Sequence, residues 1–461
     1  MRLQLDDIQR QVIDFTRGRA LVLGAPGTGK TEVLRQRVLK ALQQENIKGE
    51  DMLCLTDAAM SGVGGCFVGS MADFCWMFLA DNALLSPDVR VIKTSEQLEI
   101  ISTLSRIQYR VEELKSITDC ACMMREKELG FPEYLQVHRN ANLRYRGLAM
   151  EYTEHKKKNN LVDIDDLLML TLFALLREDY RTYKYSSYKW IVVDDVQDMG
   201  QIHYCILNRL SECEDSTFVM FGDESSRLST DADKAPISEQ VKVDSIFILR
   251  NNYRSSKSVV EMLNAYMKEQ LAFVSRSSIE PSICVRRDEI LPTLVPCRNE
   301  VEHCDMLAAL VRQALVGDAD RSVGILASTE GEVDRIWNLC EAHGLECKKK
   351  SDVNLDNKSA LAQGAVIMTV AESVGKEFDQ VIIYNVSDGI YPHGPTSAEL
   401  DALTLYVALS RAKGQLYITY ERELSPFLTK LESGLFYEMS EGQKQRMMKM
   451  ERLFVKFSPN P

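Results

Sequence analysis

Residues 19–42 have the sequence RALVLGAPGTGKTEVLRQRVLKAL, which predicts a strand, a glycine-rich loop and a helix. An apolar run precedes the loop, and apolar residues recur at helical spacing after it. The loop fits G-x-x-x-x-G-K-[ST] in full, a pattern whose backbone N–H groups and helix N-terminus surround phosphate oxygens. Lys30 is expected to reach the β- and γ-phosphates, and Thr31 to ligate Mg²⁺. The predicted phosphate-binding residues are Gly24, Ala25, Pro26, Gly27, Thr28, Gly29, Lys30 and Thr31.

A second stretch, WIVVDDVQDMG at residues 190–200, places acids at the end of an apolar run. Such a run is typical of a buried parallel strand that brings carboxylates to its C-terminal edge. In proteins with this phosphate loop, a second strand supplies an acid that holds Mg²⁺. Asp194 suits that role, and Asp195 is placed to orient or deprotonate the attacking water. An acid pair that only caps a turn is the alternative.

Strand and helix patterns alternate along most of the chain, which predicts an α/β fold with parallel sheets. Between residues 82 and 185 helical periodicity dominates, so we interpret this segment as a helical accessory insertion in the first domain. A second α/β pattern begins after about residue 255. The predicted organisation is a first domain at 1–81 and 186–253, the insertion at 82–185, a second domain at 254–430, and a C-terminal helix or tail at 431–461.

Composition narrows the class of protein. The chain has 461 residues, 45% of them apolar, and a formal net charge of -12. This charge argues against a uniformly basic nucleic-acid coat, although it leaves room for a local basic channel. No window approaches the roughly 18–20 apolar residues of a membrane span, and the N-terminus lacks a signal peptide's apolar block, so a cytoplasmic location is expected. We interpret the twelve scattered cysteines as free thiols, with an iron–sulfur cluster as the alternative.

Two clusters have competing interpretations. Asp163, Asp165 and Asp166 lie in NNLVDIDDLLMLTL, where the pattern favours a helix N-terminus with helpful negative charge over a metal site. The aromatic residues of FCWMF, at 74–78, are typical of the core face of a helix. A surface that stacks nucleic-acid bases is the alternative for the second cluster.

The motifs, taken in order, resemble those of superfamily 1 DNA helicases of the UvrD/Rep/PcrA type. The resemblance covers residues 5 to about 430 and implies two RecA-like P-loop domains with ATP and Mg²⁺ in the cleft between them. Besides the phosphate loop and VVDDVQDM, the stretches that carry it are LDDIQRQVI, FVMFGDESSRLS, LRNNYRSSKSVVEMLN, SVGILASTEGEVDRIWNLCEAHGL, VIMTVAESVGKEFDQVIIYNVSDGIYP and LTLYVALSRAKGQLYITY.

The resemblance implies roles for further residues. Gln9 would read the adenine, Tyr253 would stack on the base and Glu377 would contact the ribose. Arg254 and Arg411 would face the transferred phosphoryl group from the second domain, where a permanently charged, bidentate guanidinium suits phosphoryl oxygens. For either arginine the alternative is a surface ion pair, and for Tyr253 and Glu377 it is a core or loop role.

The chain also departs from the family pattern. Asp195 replaces a glutamate that is one methylene longer, and Ser225 and Ser226 stand near the position of a γ-phosphate-sensing glutamine. On the DNA side, Ala371 and Val374 replace a histidine and a lysine. LTDAAMSG and GSMADF lack the family's phenylalanine, asparagine, lysine and histidine, and SRLSTDADKAP lacks its tryptophan. The second domain's large accessory insertion is expected to be missing or reduced to a stub.

The chain is therefore predicted to be an ATP-dependent helicase or translocase that moves on single-stranded or partially duplex DNA, 3′→5′ by resemblance. Its implied catalytic residues are Lys30, Asp195, Arg254 and Arg411. The alternative is a slow nucleotide switch or scaffold ATPase subunit, docked on a nuclease or another DNA-processing protein, for example in phage defence. The losses on the DNA side, the acidic balance and the reduced accessory insertion are the features that favour this alternative.

Overall fold

The structure is a computed structural model that describes most of the chain. Side chains of residues 111–112 and 454–457 are not described. The described residues are 5–43, 47–58, 60, 62–109, 111–177, 183, 188–212, 216–227, 236–271, 281–316, 321–350, 365–394 and 397–457.

Strands fall into two large parallel sheets and two small pairs. The strands are β1 (Gly18–Gly24), β2 (Met52–Leu55), β3 (Phe67–Gly69), β4 (Arg90–Val91), β5 (Leu161–Val162), β6 (Trp190–Val193), β7 (Thr217–Gly222), β8 (Ser245–Leu249), β9 (Asn251–Asn252), β10 (Ile283–Cys284), β11 (Thr293–Cys297), β12 (Val323–Ala327), β13 (Cys347–Lys349), β14 (Ala365–Thr369), β15 (Phe378–Ile383), β16 (Ala412–Glu421) and β17 (Tyr437–Glu438).

Helices connect the strands and cover the sheets. They are α1 (Asp7–Asp14), α2 (Lys30–Gln43), α3 (Met71–Asp81), α4 (Thr94–Ser105), α5 (Val111–Glu128), α6 (Arg146–Lys158), α7 (Ile164–Leu175), α8 (Gln201–Leu210), α9 (Ile237–Gln240), α10 (Lys257–Gln270), α11 (Glu300–Val316), α12 (Glu330–Ala342), α13 (Ala398–Leu409), α14 (Pro426–Thr429) and α15 (Glu441–Phe457).

The first sheet has the strand order β3-β2-β6-β7-β1-β8, with every neighbouring pair parallel. Its central strands β6, β7 and β1 are mostly apolar because both faces of the sheet are covered. Along β1, Leu21 packs into the core on one face and Val22 into the core on the other. Parallel strands end at the same edge, so the loops after β1, β2, β6, β7 and β8 meet there.

A helical unit, α4 to α7, separates β3 from β6 in the chain, as the periodicity of residues 82–185 predicts. Ile101, Ile117 and Tyr152 are buried in its own core. The two-residue strands β4 and β5 pair with each other in parallel. These strands are too short for a sequence pattern to indicate them, because two residues show no alternation.

The second sheet has the order β13-β14-β12-β15-β16-β11-β17 and is also parallel throughout. Its outermost strand, β17, follows residue 430, so the sheet takes in part of the segment predicted as tail. Helix α15 then packs on α11. The predicted fold class, α/β with two parallel sheets and a helical insertion in the first, is confirmed.

The two sheets approach each other through opposite edges. Glu377 immediately precedes β15, and Arg411 immediately precedes the neighbouring strand β16. Residues 250–256 form a linker between the first sheet and α10, and the Ser255 hydroxyl in this linker donates to the Ala412 carbonyl at 3.0 Å. The carboxyl edge of the first sheet therefore meets the amino edge of the second, and the predicted site residues lie along this cleft.

Candidate nucleotide-binding site

The phosphate loop runs from the end of β1 into α2, as its sequence predicts. The Thr28 hydroxyl donates to the Ala25 carbonyl at 2.8 Å, and the Lys30 ammonium donates to the Gly24 carbonyl at 2.7 Å. Gly27 has φ +87°, and a Cβ there would lie 2.7 Å from the Asn252 amide oxygen. Glycine is thus required at this position both by the positive φ and by the lack of room for a Cβ atom. The loop and the α2 N-terminus form a cradle suited to an anion.

Asp194 lies at the end of β6, beside the cradle. Its carboxylate accepts hydrogen bonds from the Thr31 hydroxyl at 3.1 Å and the Thr56 hydroxyl at 3.4 Å. Burial and the neighbouring Asp195 raise the pKa of Asp194 to about 7, while Lys30 opposes the shift. A buried carboxylate beside a hydroxyl is a donor set that suits Mg²⁺, which favours oxygen ligands. Thr31 and Asp194, the two residues predicted to bind Mg²⁺, thus lie next to each other.

Asp195 sits in a left-handed backbone conformation, with φ 48° and ψ 42°. Aspartate tolerates this region better than most residues, and the turn leaves its carboxylate exposed. The Gln197 amide nitrogen donates to Asp195 and to Asp198, both at 3.1 Å. The Gln197 amide oxygen accepts the N–H of Asp223 at 3.0 Å. Gln197 therefore links the ends of β6 and β7.

The two serines that stand near the expected glutamine are engaged elsewhere. Both Ser225 and Ser226 are buried, and their hydroxyls donate to the Asp223 carboxylate. They hold the turn after β7 and do not extend toward the cradle as a glutamine side chain could. The stretch predicted to lack the family's tryptophan falls mostly in 228–235, outside the described residues.

Gln9 and Tyr253, the two residues predicted to contact the base, both lie beside the phosphate loop and are linked through Asp6. The buried Gln9 amide donates to the Thr28 carbonyl at 3.2 Å. Asp6, which caps α1 through a capping box with Gln9, also accepts the Tyr253 hydroxyl at 3.1 Å. Sequence reasoning missed Asp6, although the spacing Asp6-x-x-Gln9 is a recognisable helix-start signal.

Arg254 lies next to the phosphate loop and pairs with Glu377. The N–H of Tyr253 donates to the Gly27 carbonyl at 2.9 Å, which fixes the linker against the loop. The Arg254 Nε lies 2.6 Å from a Glu377 carboxylate oxygen, and Lys413 lies 3.2 Å from the other. Burial would raise the pKa of Glu377, but Arg254 and Lys413 hold it below its ordinary value. Arg254 therefore forms an ion pair with Glu377 beside the phosphate loop.

Arg411 is a buried cation at the end of α13. Its guanidinium donates to the Val407 carbonyl at 3.0 Å and to the Ser410 hydroxyl at 2.7 Å. In the described part of the chain it forms no ion pair. Burial and the nearby Arg254 lower the pKa of Arg411 to about 10, against the opposing charge of Asp223. A buried guanidinium without a carboxylate is costly and is suited to an anionic ligand.

Asn252 is a site residue that sequence reasoning missed. It is buried, and its amide nitrogen donates to the Pro26 carbonyl at 2.9 Å. Its amide oxygen accepts the N–H of Arg254 and of Ser255, both at 3.0 Å. The only signal for it in the sequence is its place before Tyr253 in the NNYRS motif.

The two open clusters are settled as structural. Asp163 caps α7 by accepting the N–H of Asp166, and Lys156 binds both carboxylates. In the described residues no group of three or more acidic, histidine or cysteine side chains is arranged for a metal. Phe74 and Phe78 are fully buried, which confirms the core interpretation of FCWMF for these two residues, and Trp76 is half-buried against the same core.

Two predictions from composition are also tested. The cysteines within the described ranges are free, as expected for those residues. None of the helices that the structure describes is long and apolar enough to cross a bilayer.

Comparison with known proteins agrees with this geometry. The UvrD/REP helicase N-terminal domain matches residues 5–61 and 67–225, and the UvrD-like helicase C-terminal domain matches residues 351–423. Together these matches cover more than half of the chain. The chain belongs to the UvrD-like helicases of superfamily 1. The match to the N-terminal domain includes the phosphate loop, VVDDVQDM and residues 222–225, and the match to the C-terminal domain includes the segment of Glu377 and Arg411.

Three relatives show how far the likeness to other UvrD-like proteins extends. The ATP-dependent DNA helicase PcrA of Bacillus subtilis is 24% identical over 57% of this chain and 39% of its own length. The ATP-dependent DNA helicase Rep of Buchnera aphidicola is 20% identical over 58% and 43%. The probable DNA helicase II homolog of Mycoplasma pneumoniae is 21% identical over 98% and 66%. This chain therefore spans less than two thirds of each relative.

Proposed function

We propose that this chain is an ATP-dependent DNA motor that hydrolyses ATP in the cleft between its two sheets. The observation that carries the proposal is Arg411, a buried guanidinium with no ion pair among the described residues. It lies at the amino edge of the second sheet, across the cleft from the anion cradle of the first. Burying an unpaired guanidinium costs desolvation free energy. A phosphoryl group that binds there and is stabilised by Arg411 would explain why the cation is buried.

The first domain would bind the phosphates and prepare the water. Backbone N–H groups of Gly24 to Thr31 and the Lys30 ammonium would hold the phosphate oxygens. Thr31 and Asp194 would hold Mg²⁺, which when bound neutralises charge on the β- and γ-phosphates. The exposed carboxylate of Asp195 would orient the attacking water and accept its proton.

The second domain would complete the site. Arg254 and Arg411 would contact the transferred phosphoryl group, so that ATP draws the two domains together and hydrolysis releases them. Gln9 and Tyr253, from the first domain, would contact the base. Glu377 would contact the ribose, and in the present structure it holds Arg254 near the loop.

We propose single-stranded or partially duplex DNA as the track, with 3′→5′ movement, because the relatives are DNA helicases by name. The proposed domain limits remain those set out from the sequence, with the second domain extended to take in β17. The proposed location is the cytoplasm.

The test is the ATPase rate with and without single-stranded DNA, for the native chain and for Lys30→Ala. The proposal expects hydrolysis that DNA stimulates and that Lys30→Ala abolishes. Displacement of a labelled strand from duplexes with a 3′ or a 5′ tail then tests direction. No hydrolysis above Lys30→Ala, with or without DNA, would overturn the proposal.

A slow nucleotide switch or scaffold ATPase subunit is the second candidate. The observation that favours it is the turn after β14, where Ala371 and Val374 offer neither charge nor an aromatic ring. Base stacking contributes about 1–3 kcal/mol per base, and basic side chains hold the backbone, so their loss weakens a DNA track. In this case a nuclease or another DNA-processing protein would be the partner. ATPase activity that single-stranded DNA leaves unchanged at low salt would favour this candidate.

A further inference from the structure

Residues 281–288, called the strap below, run beside the linker that carries Arg254. The N–H of Ile283 donates to the Arg250 carbonyl at 2.7 Å, and the N–H of Val285 donates to the Asn252 carbonyl at 3.0 Å. These bonds make the parallel pair β9–β10. The linker is therefore held from the strap on one side and, through Asn252, from the phosphate loop on the other.

One side chain of the strap, Arg286, joins the linker to the second sheet. Its Nη1 donates to the Arg254 carbonyl at 2.6 Å and to the Lys413 carbonyl at 3.3 Å. Arg254 and Lys413 flank the cleft from different parts of the chain, and the Lys413 carbonyl also accepts the N–H of Ser256 at 2.8 Å. The guanidinium thus reinforces the direct bonds that Ser255 and Ser256 make from the linker to the start of β16.

The orientation of Arg286 is itself fixed. The Asp288 carboxylate accepts hydrogen bonds from the Arg286 Nε at 2.9 Å and from the Arg286 Nη2 at 2.6 Å. This bidentate geometry restrains the orientation of the guanidinium. The Asp288 carbonyl accepts the N–H of Lys257 at the start of α10 at 3.0 Å. Arg286 therefore cannot turn away from the two carbonyls without breaking the pair.

We propose that Arg286 is a positioning residue, which holds Arg254 and the turn of Arg411 in register so that both guanidinia reach the terminal phosphate together. The proposal rests on the nucleotide site proposed above. Arg286 acts only through the backbone of Arg254 and Lys413. A displacement of about 1 Å at such groups can lower a rate about 10²-fold, which is why a support outside the cleft matters.

The experiment compares Arg286→Met with Arg287→Met. Arg287 is the exposed next residue of the strap, and its side chain forms no hydrogen bond or ion pair with the residues that the structure describes, so its variant is a matched control. The readout is equilibrium binding of fluorescent ADP and of a fluorescent, non-hydrolysable ATP analogue, with Mg²⁺, alongside the unfolding temperature. Because ADP lacks the terminal phosphate, it reports on the cradle without the two arginines.

The expected result for Arg286→Met is about tenfold weaker binding of the ATP analogue with ADP affinity unchanged within about twofold. Arg287→Met should leave both affinities unchanged. In a chain that already carries Arg254→Met, adding Arg286→Met should weaken ATP-analogue binding by no more than about twofold, because neighbours that act as one unit are not additive.

Three results would overturn the proposal: equal losses for ADP and the ATP analogue, a lowered unfolding temperature with both affinities intact, or full additivity with Arg254→Met. If Arg286→Met does not fold, Arg286→Lys, which keeps the charge but not the bidentate pair, is judged by the same criteria. A native chain that binds the ATP analogue without hydrolysing ATP would overturn the proposed motor function. The comparison of the single and double variants of Arg286 and Arg254 would still decide the role of Arg286. A native chain that binds neither nucleotide would overturn both.

Discussion

Asn252 ties the phosphate loop to the linker: its side-chain nitrogen lies 2.9 Å from the Pro26 carbonyl oxygen. Its amide oxygen holds the N–H of Arg254, so the loop that cradles phosphate and the arginine that would sense it share one buried side chain. Movement of one is therefore transmitted to the other over a single residue.

The first prediction concerns this link. Asn252→Asp cannot donate to the Pro26 carbonyl, and it adds a negative charge beside the phosphates. Losing a partner for a buried polar group costs about 1–3 kcal/mol, so the free energy of unfolding should fall by that amount and ATP should bind at least about tenfold more weakly. Asn159→Asp, at the exposed end of α6, also loses a side-chain donor, to the His155 carbonyl; it is the control for ATP binding and should leave the ATP affinity unchanged. Unaltered ATP affinity in Asn252→Asp would show that the link is dispensable.

The second prediction concerns Asp195. Asp195→Asn keeps the shape and the tolerance for a left-handed backbone but loses the charge, so it should slow hydrolysis by about 10²–10⁴-fold without lowering the unfolding temperature. Asp195→Glu, one methylene longer, should hold or raise the rate, unless the Gln197 contact has adapted the site to the shorter acid. Turnover by Asp195→Asn at the native rate would remove Asp195 from the water-positioning role.

The third prediction is a pH dependence of stability in the helical unit. Burial, with Asp163 beside it, raises the pKa of Asp165 from its ordinary value of 3.8 to about 6. As the pH rises from about 4, the unfolded chain loses this proton first, so folding becomes less favourable until the folded carboxyl also ionises near pH 6. Asp165→Asn removes that cost. Measured by urea unfolding, the free energy of unfolding of Asp165→Asn should exceed that of the native chain by an amount that grows between about pH 4 and 6 and then levels off at about 1–3 kcal/mol. A difference that stays constant with pH would contradict the assignment.

Local patterns in the sequence predicted much of the cradle. The phosphate loop and Asp194 could be placed because a strand, a loop and a helix follow one another in the chain, and the pattern itself specifies the contacts. The positions of Gln9, Arg254 and Arg411 came from resemblance to the UvrD-like family, and their functional roles remain proposals.

What the sequence could not supply is long-range pairing. β11 leaves no clear pattern, because its run TLVPC is short and contains a proline. The roles of Asn252 and Arg286 depend on carbonyls that are distant in the chain, and a backbone carbonyl has no signature in the sequence. Asp195 departs visibly from the family's glutamate, but nothing in the sequence around it indicates its left-handed backbone conformation.

The most direct test of the central claim, that the second sheet acts on a nucleotide held by the first, is the single-turnover hydrolysis rate of Arg411→Met. Removal of a buried, unpaired charge should leave the unfolding temperature equal or higher. ADP affinity should stay within about twofold of the native value, because Arg411 does not contact the cradle. The account predicts a hydrolysis rate at least about 10³-fold lower. A folded Arg411→Met that hydrolyses bound ATP at the native rate would contradict it.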